Sequence, residues 1–469
     1  MLFNSFQFIL LVCVTFFIYY TPAMRKIQPA LLIAASFIFY ASNQPVLLLL
    51  LIFSITVNTI ASYLVFFGNV KFRKSYAVAG VCLNLLTLAF FKYSPLFGKT
   101  FFSPDQAVGH FLTMIPLPIG ISFFTFQGIT LMVDSFRSEK VIEFQKLKTG
   151  SFPNYFMNTA LFISFFPQLV AGPIVKAHDF IPQIKIKYMK DINWNHCFKS
   201  LVLGYFLKMV IADNLKDQTF WIAFPYFQGN ATSTILTMLF GYSIQIFSDF
   251  AGYSLIAIGV AGLFSYNLPK NFHYPYISKS LSEFWTRWHI SLSNFLKEYL
   301  YFPLGGNRKG EKRTYINLMV VMVLGGFWHG AAWSYAVWGT FHGAGLATER
   351  FFRNRLSIPK NTGSNAIKMI AVFTFVTFAW LLFKLPEFNH FIQLMITLPR
   401  NIDMIINVQV VLQVAVYSLP IILYHLIYLY RNKIPVLYMN LMEPAIYGFM
   451  LFMIITNSGS PNEFIYFQF

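Results

Sequence analysis

The chain has 469 residues, of which 57% are hydrophobic and only 11% charged, with a mean hydropathy of +0.57. A soluble domain carries roughly 25% charged residues, so composition excludes a soluble globular protein, and long unbroken apolar runs exclude a β-barrel, whose strands alternate. The net charge of +18 is spread over short clusters rather than one block, so no nucleic-acid partner is needed to explain it.

The N-terminus, Met1-Leu2-Phe3-Asn4, lacks the basic segment of a cleaved signal peptide and reads as the start of a first transmembrane helix. Apolar spans are predicted at 3–20, 29–41, 45–67, 76–93, 112–134, 197–213, 232–264, 314–328, 332–349, 366–384, 407–430 and 440–456. Several fall short of the roughly 20 residues of a straight crossing, which points to broken helices. An outside N-terminus places the loops 21–28, 68–75 and 135–150 on one side, where Arg25/Lys26, Lys71/Arg73/Lys74 and Arg137/Lys140/Lys146/Lys148 gather. The connections 42–44 and 94–111 are nearly uncharged or mixed. That alternation is the footprint of cytoplasmic positive loops. Further basic clusters, Lys176/Lys185/Lys187/Lys190, Arg308/Lys309/Lys312/Arg313, Arg350/Arg353/Arg355/Lys360 and Arg431/Lys433, extend it.

Segment 154–173 is apolar yet flanked by basic loops on both sides, which a re-entrant segment resolves. Segment 273–304 repeats Leu281, Phe284, Trp285, Trp288, Leu292, Phe295, Leu296 and Tyr299 at helical spacing opposite Glu283, Arg287, Asn294, Lys297 and Glu298. It is expected to form one amphipathic helix at the membrane interface or dipping inward. No internal repeat or soluble domain is visible, so residues 1–469 read as one polytopic membrane domain.

Chemistry is sought where charge is costly. From Tyr315 to Thr348 there is no Lys, Arg, Asp or Glu, and His329 sits near the middle in Phe327-Trp328-His329-Gly330. An ionisable group at membrane depth marks a functional site by default, and imidazole suits proton transfer near neutrality. A hydrogen-bonded structural histidine between helices is the other reading. His289, in Arg287-Trp288-His289-Ile290, could share a cavity with His329, or serve as an interfacial residue of an aromatic belt. Asp249 lies deep in span 232–264 and could orient a histidine, bind a hydroxyl, or pair with Lys208 or Arg287; Lys208 could instead snorkel. His342 fits helix packing. Cys13, Cys82 and Cys197 have no paired or metal-like spacing, the histidines lack i,i+4 spacing, and no bound metal or cofactor is expected. No nucleophile elbow, phosphate loop or dinucleotide fingerprint is present in the sequence.

Four stretches resemble signatures of the membrane-bound O-acyltransferases, in the branch of bacterial alginate O-acetylation proteins. They are Pro116-Leu117-Pro118-Ile119-Gly120-Ile121-Ser122-Phe123-Phe124-Thr125-Phe126-Gln127, Gln168-Leu169-Val170-Ala171-Gly172-Pro173-Ile174-Val175, Phe284-Trp285-Thr286-Arg287-Trp288-His289-Ile290-Ser291-Leu292 and Gly326-Phe327-Trp328-His329-Gly330-Ala331. The ending Phe464-Ile465-Tyr466-Phe467-Gln468-Phe469 is similar to that subgroup as well. The resemblance runs nearly end to end. It implies an all-α integral membrane fold of about eleven transmembrane helices with re-entrant segments around a central funnel. It also implies His329 as the catalytic histidine and His289 as the second conserved polar position.

It further implies acyl transfer from a cytoplasmic thioester donor, acetyl-CoA, to a hydroxyl of an exported polysaccharide such as alginate, peptidoglycan or cellulose. Transfer is direct or through a periplasmic partner transferase, in a bacterial inner membrane. Substrate-cavity candidates are Asp249, Trp328, Arg287, Tyr253 and Gln127; donor-binding candidates are Lys185, Lys187, Arg308 and Lys309. The alternatives are D-alanyl transfer to teichoic acid from a carrier-protein thioester, a non-enzymatic transporter or flippase, and a scaffold. Transporters tend to show matched repeats, and the sequence shows none.

Overall fold

A computed structural model describes the chain except residues 43–44, 104–105, 138–150, 171, 354, 356–360, 461–463 and 465–469. The connection 42–44, the basic residues Lys140, Lys146, Lys148 and Lys360, Ala171 and the ending after Phe464 therefore lie wholly or partly outside the described residues. The described residues are overwhelmingly helical, and each predicted span holds a helix. They gather into two compact units, Met1–Leu201 with Ser254–Pro269, and Val202–Tyr253 with Lys270–Phe469.

In the first unit, helices Phe6–Tyr20 and Gln28–Ala41 meet at a bend of 102°. The cause is local: Thr21 is held extended before Pro22, and a short 3₁₀ turn through Ile27 re-enters the helix. Leu47–Phe67 and Arg73–Leu88 follow, the latter running through a π segment, Ala89–Tyr93, into Ser94–Phe101. The span expected from 112 is delayed to Ile121–Phe136, because Pro116 and Pro118 end the short helix Ala107–Met114. Phe152–Ser164 is a 13-residue helix broken at Phe165, ahead of Pro167, and too short for a straight crossing.

With little hydrophobic drive between helices in lipid, polar side chains supply adhesion. Asn58 and Asn84 exchange amide hydrogen bonds of 3.2 and 2.8 Å, and a Cβ on Gly128 would strike both amides.

In the second unit, Phe206–Ala212 is a π segment leading into Asp213–Thr219, and Thr232–Leu263 is a 32-residue helix that begins here. Glu311–His329 and Trp333–Arg353 form a tight hairpin, followed by Thr362–Lys384, Phe388–Arg400, Val408–Tyr430 and Val436–Thr456.

The single amphipathic helix expected over 273–304 is not formed. Two short helices, Leu281–Arg287 and Ile290–Leu296, flank a break in which His289 is left-handed (φ 44°, ψ 53°). The segment from His273 to Ser280 holds only a single 3₁₀ turn, Pro275–Ile277.

Among the described residues six helices are long and apolar enough to cross a membrane, or seven if the bent pair is one span. The His329 helix, whose first turn carries Glu311, Lys312 and Arg313, is not among them.

Candidate active site

The site is built on the helix hairpin of the second unit. His329 is the last helical residue before Gly330, whose extended backbone (φ −166°) ends the helix and turns the chain toward Trp333. Any Cβ at Gly330 would enter the Tyr335 ring. The His329 side chain is enclosed by rings, with centroids of Trp328, Trp338 and Phe383 at 5.0, 5.1 and 5.3 Å. His289 lies 6.5 Å from His329 and 5.8 Å from Trp328, with Phe250 edge-on at 4.6 Å. His289 is 0% exposed and His329 4%. The interfacial-belt reading of His289 is thereby corrected: the imidazole is a core residue.

The break in the chain at Trp288 and His289 is what delivers that imidazole. The segment 271–273 brackets it, with Ile290 N donating to Asn271 O at 2.9 Å and His273 N donating to Arg287 O at 2.9 Å. His289 Nδ1 is 3.1 Å from Asn271 Oδ1. Two imidazoles whose ring centroids lie 6.5 Å apart among aromatic side chains are close enough to act on one small group carrying a transferable proton.

The other candidates resolve into distinct roles. Asp249 forms an ion pair with Lys208 at 2.7 Å, and Asp213 takes the same ammonium at 2.8 Å. Of the pairings weighed for Asp249, Lys208 is the one formed. Lys208 does not snorkel, since its side chain is only 2% exposed. The Tyr253 ring covers that ammonium at 5.6 Å and meets Phe464 at 4.3 Å. Arg287 is held by Glu283 at 2.8 Å and donates to His273 O at 3.1 Å, tying the end of the first short helix to the segment before it. His342 is fully buried with its ring 4.7 Å from Trp338.

In the first unit, Gln127 is buried and donates to Phe162 O at 3.1 Å. Lys185 there is exposed, but Lys187 is buried, its ammonium donating to Ser265 O at 2.9 Å. Burial, with the Lys185 charge adding to it, pushes the Lys187 ammonium down to about 8. Arg308 and Lys309, in the second unit, are exposed.

Two residues escaped the sequence reading. Trp338 lies against His329, and its indole N–H has no acceptor among the described residues. Asn271, 18 positions before His289, holds that ring. Neither has a spacing signal; only the fold brings them in. Among the described residues no group of three His, Cys, Asp or Glu is placed to hold a metal ion.

The family model for membrane-bound O-acyltransferases matches residues 59–388, a span that contains both histidines. The chain belongs to the membrane-bound O-acyltransferase family. It is a multi-pass helical membrane protein and an acyltransferase enzyme. A peptidoglycan O-acetyltransferase of Helicobacter pylori is 34% identical over 411 residues, covering 82% of this chain and 77% of the relative. A probable alginate O-acetylase AlgI of Pseudomonas aeruginosa is 33% identical over 395 residues, covering 82% and 72%. A teichoic acid D-alanyltransferase of Bacillus subtilis is 28% identical over 287 residues, covering 58% and 70%.

Proposed function

We propose that this acyltransferase moves an acetyl group from acetyl-CoA to a hydroxyl of a cell-surface polysaccharide, directly or through a periplasmic partner transferase. We further infer that residues 1–469 act as one functional domain in a bacterial inner membrane, with the N-terminus outside. The observation that carries the reading is the enclosed pair His329 and His289, 6.5 Å apart within the family-matched region. The relatives named for O-acetylation of peptidoglycan and alginate cover more of this chain, at higher identity, than the D-alanyltransferase does, which favours acetyl over D-alanyl.

In this reading His329 takes the proton of the acceptor hydroxyl as its oxygen attacks the thioester carbonyl. A hydroxyl is far less acidic than imidazolium, so proton transfer and attack are concerted. The tetrahedral intermediate collapses with release of the CoA thiolate, which recovers the proton from the imidazolium. Trp328 and Trp338 are the nearby N–H groups suited to the developing oxyanion. Arg308, Lys309 and Lys185 are the exposed cations suited to the phosphates of CoA, whereas Lys187 is engaged by the Ser265 carbonyl.

The test uses protein in vesicles with radiolabelled acetyl-CoA, comparing CoA release and label transfer for wild type, His329→Ala and His289→Ala at matched abundance. Loss of turnover in His329→Ala with acetyl-CoA binding retained is the expected result. Turnover near wild type would remove His329 from the chemical step. Label from a D-alanyl carrier protein in place of acetyl-CoA would replace the donor.

A further inference from the structure

We propose that Asn271 is a positioning residue that holds His289 as the Nδ1–H tautomer, so that Nε2 carries the lone pair and presents a hydrogen-bond acceptor in the acyl-transfer site. The inference rests on the two-histidine reading of that site and adds to it a residue and a definite protonation pattern.

An asparagine amide can be turned over without changing its shape, so which end faces a neighbour is set by the neighbour's own chemistry. Here the atom of Asn271 that faces His289 also lies 3.3 Å from the backbone N of Ser291, and a backbone N–H can only donate. That atom is therefore the carbonyl oxygen, Oδ1. The Ser291 hydroxyl donates to the same oxygen at 2.9 Å.

An amide oxygen can only accept, so His289 Nδ1, 3.1 Å away, must carry the hydrogen. A neutral imidazole with its hydrogen on Nδ1 presents a lone pair at Nε2. The other ring nitrogen sets the tautomer, as an orienting partner does in other histidine bases.

The backbone reinforces the side chain. Asn271 O accepts the N–H of Ile290, so one residue holds both the imidazole and the backbone that follows it, while His273 N donates to Arg287 O ahead of the left-handed turn. Asn271 is 1% exposed, which keeps water from competing for Oδ1. A positive φ at a residue other than glycine is costly and persists where surrounding bonds over-determine it. Here those bonds come from residues 271 and 273.

The experiment combines ¹⁵N NMR of histidine-labelled protein in nanodiscs with turnover of acetyl-CoA. The His289 resonances are identified by difference from His289→Gln. In wild type, Nδ1 should be pyrrole-like and Nε2 pyridine-like. Asn271→Leu should lose that pattern and lower kcat about 100-fold while KM for acetyl-CoA stays within about threefold. Asn271→Asp, which keeps an oxygen at the same place, should hold Nδ1 protonated and recover most of the turnover.

A pyridine-like Nδ1 in wild type overturns the proposal whatever the activity. So does an Asn271→Leu protein with wild-type kcat when His289→Ala is inactive. If His289→Ala turns over normally, it is the two-histidine reading that falls, and the proposal with it.

Discussion

Trp338 shows how a residue with no sequence signal becomes a functional candidate once neighbours are known. Its ring stacks at 5.8 Å on Trp380 and meets His329 at 5.1 Å, so the indole is fixed by packing while its N–H remains available to a charge that forms during reaction. Trp338→Phe preserves most of the ring and deletes only that donor. A loss of about 10²–10³ in kcat, with little change in melting temperature, is the expected outcome. Unchanged kcat would return Trp338 to a packing role.

Lys208 makes the opposite case. Its charge is held by Asp213 and Asp249 in a nearly sealed site, so Lys208→Met leaves two carboxylates buried against each other. Removing one partner of such an arrangement costs about 3–5 kcal/mol. Thermal unfolding in detergent should show a large drop for Lys208→Met and a smaller one when Asp249→Asn is added. Equal drops would mean that the charges do not couple. The sequence left Asp249 open between function and pairing with Lys208 or Arg287; the 2.7 Å contact shows that the pair with Lys208 is formed.

At the scale of elements, the hairpin that carries His329 depends on absent side chains. Gly326 and Gly339 sit where the two helices cross, and a Cβ on Gly326 would meet the Tyr335 carbonyl oxygen, one on Gly339 the Met322 carbonyl oxygen. Because the obstacles are backbone atoms, no rotamer change relieves them. Small residues at a helix crossing are the means by which membrane helices approach closely. Gly339→Ala should push the helices apart, displace Trp338 relative to His329, and lower turnover more than tenfold. Turnover and melting temperature both at wild-type values would show that the crossing tolerates the spread.

The segment 281–296 shows where periodicity misleads. Each short helix keeps its apolar residues, Leu281 and Phe284 in one and Leu292 and Phe295 in the other, on the buried side. The residues between them, Trp288 and His289, are neither Gly nor Pro, so nothing local announces the break. Hydrogen bonds from a distant segment impose it.

At the scale of the whole molecule, each unit carries charged groups that can be tested by themselves. In the first unit His178 Nδ1 lies 2.8 Å from Asp134 Oδ2, and that bond raises the imidazole above its usual range despite partial burial. A folded-state value above the unfolded one stabilises fully below the unfolded pKa, about 6.5. The contribution is lost as pH rises through the higher folded value. The stability gap between wild type and Asp134→Asn should therefore be widest in mild acid and narrow toward alkaline pH. A gap independent of pH would mean that His178 is not the titrating partner.

In the second unit, the exposed Arg308 and Lys309 lend themselves to a charge test. Arg308→Glu with Lys309→Glu should raise KM for acetyl-CoA several-fold and leave kcat in place, with the effect shrinking at high salt. An unchanged KM would assign these residues to topology alone.

The helical membrane class and the places of most apolar helices were legible in the sequence because they depend on local hydropathy, and His329 stood out there as an ionisable residue in an apolar run. A bilayer leaves the backbone few choices, so composition alone excludes most folds. The broken helix at His289, the burial of Lys187, the pairing of Asp249 and the roles proposed for Trp338 and Asn271 came only with tertiary structure. Each of these is a relation between residues far apart in the chain, created by hydrogen bonds and close packing. Such bonds override local preference, since an unsatisfied buried polar group costs more than a helix gains by continuing.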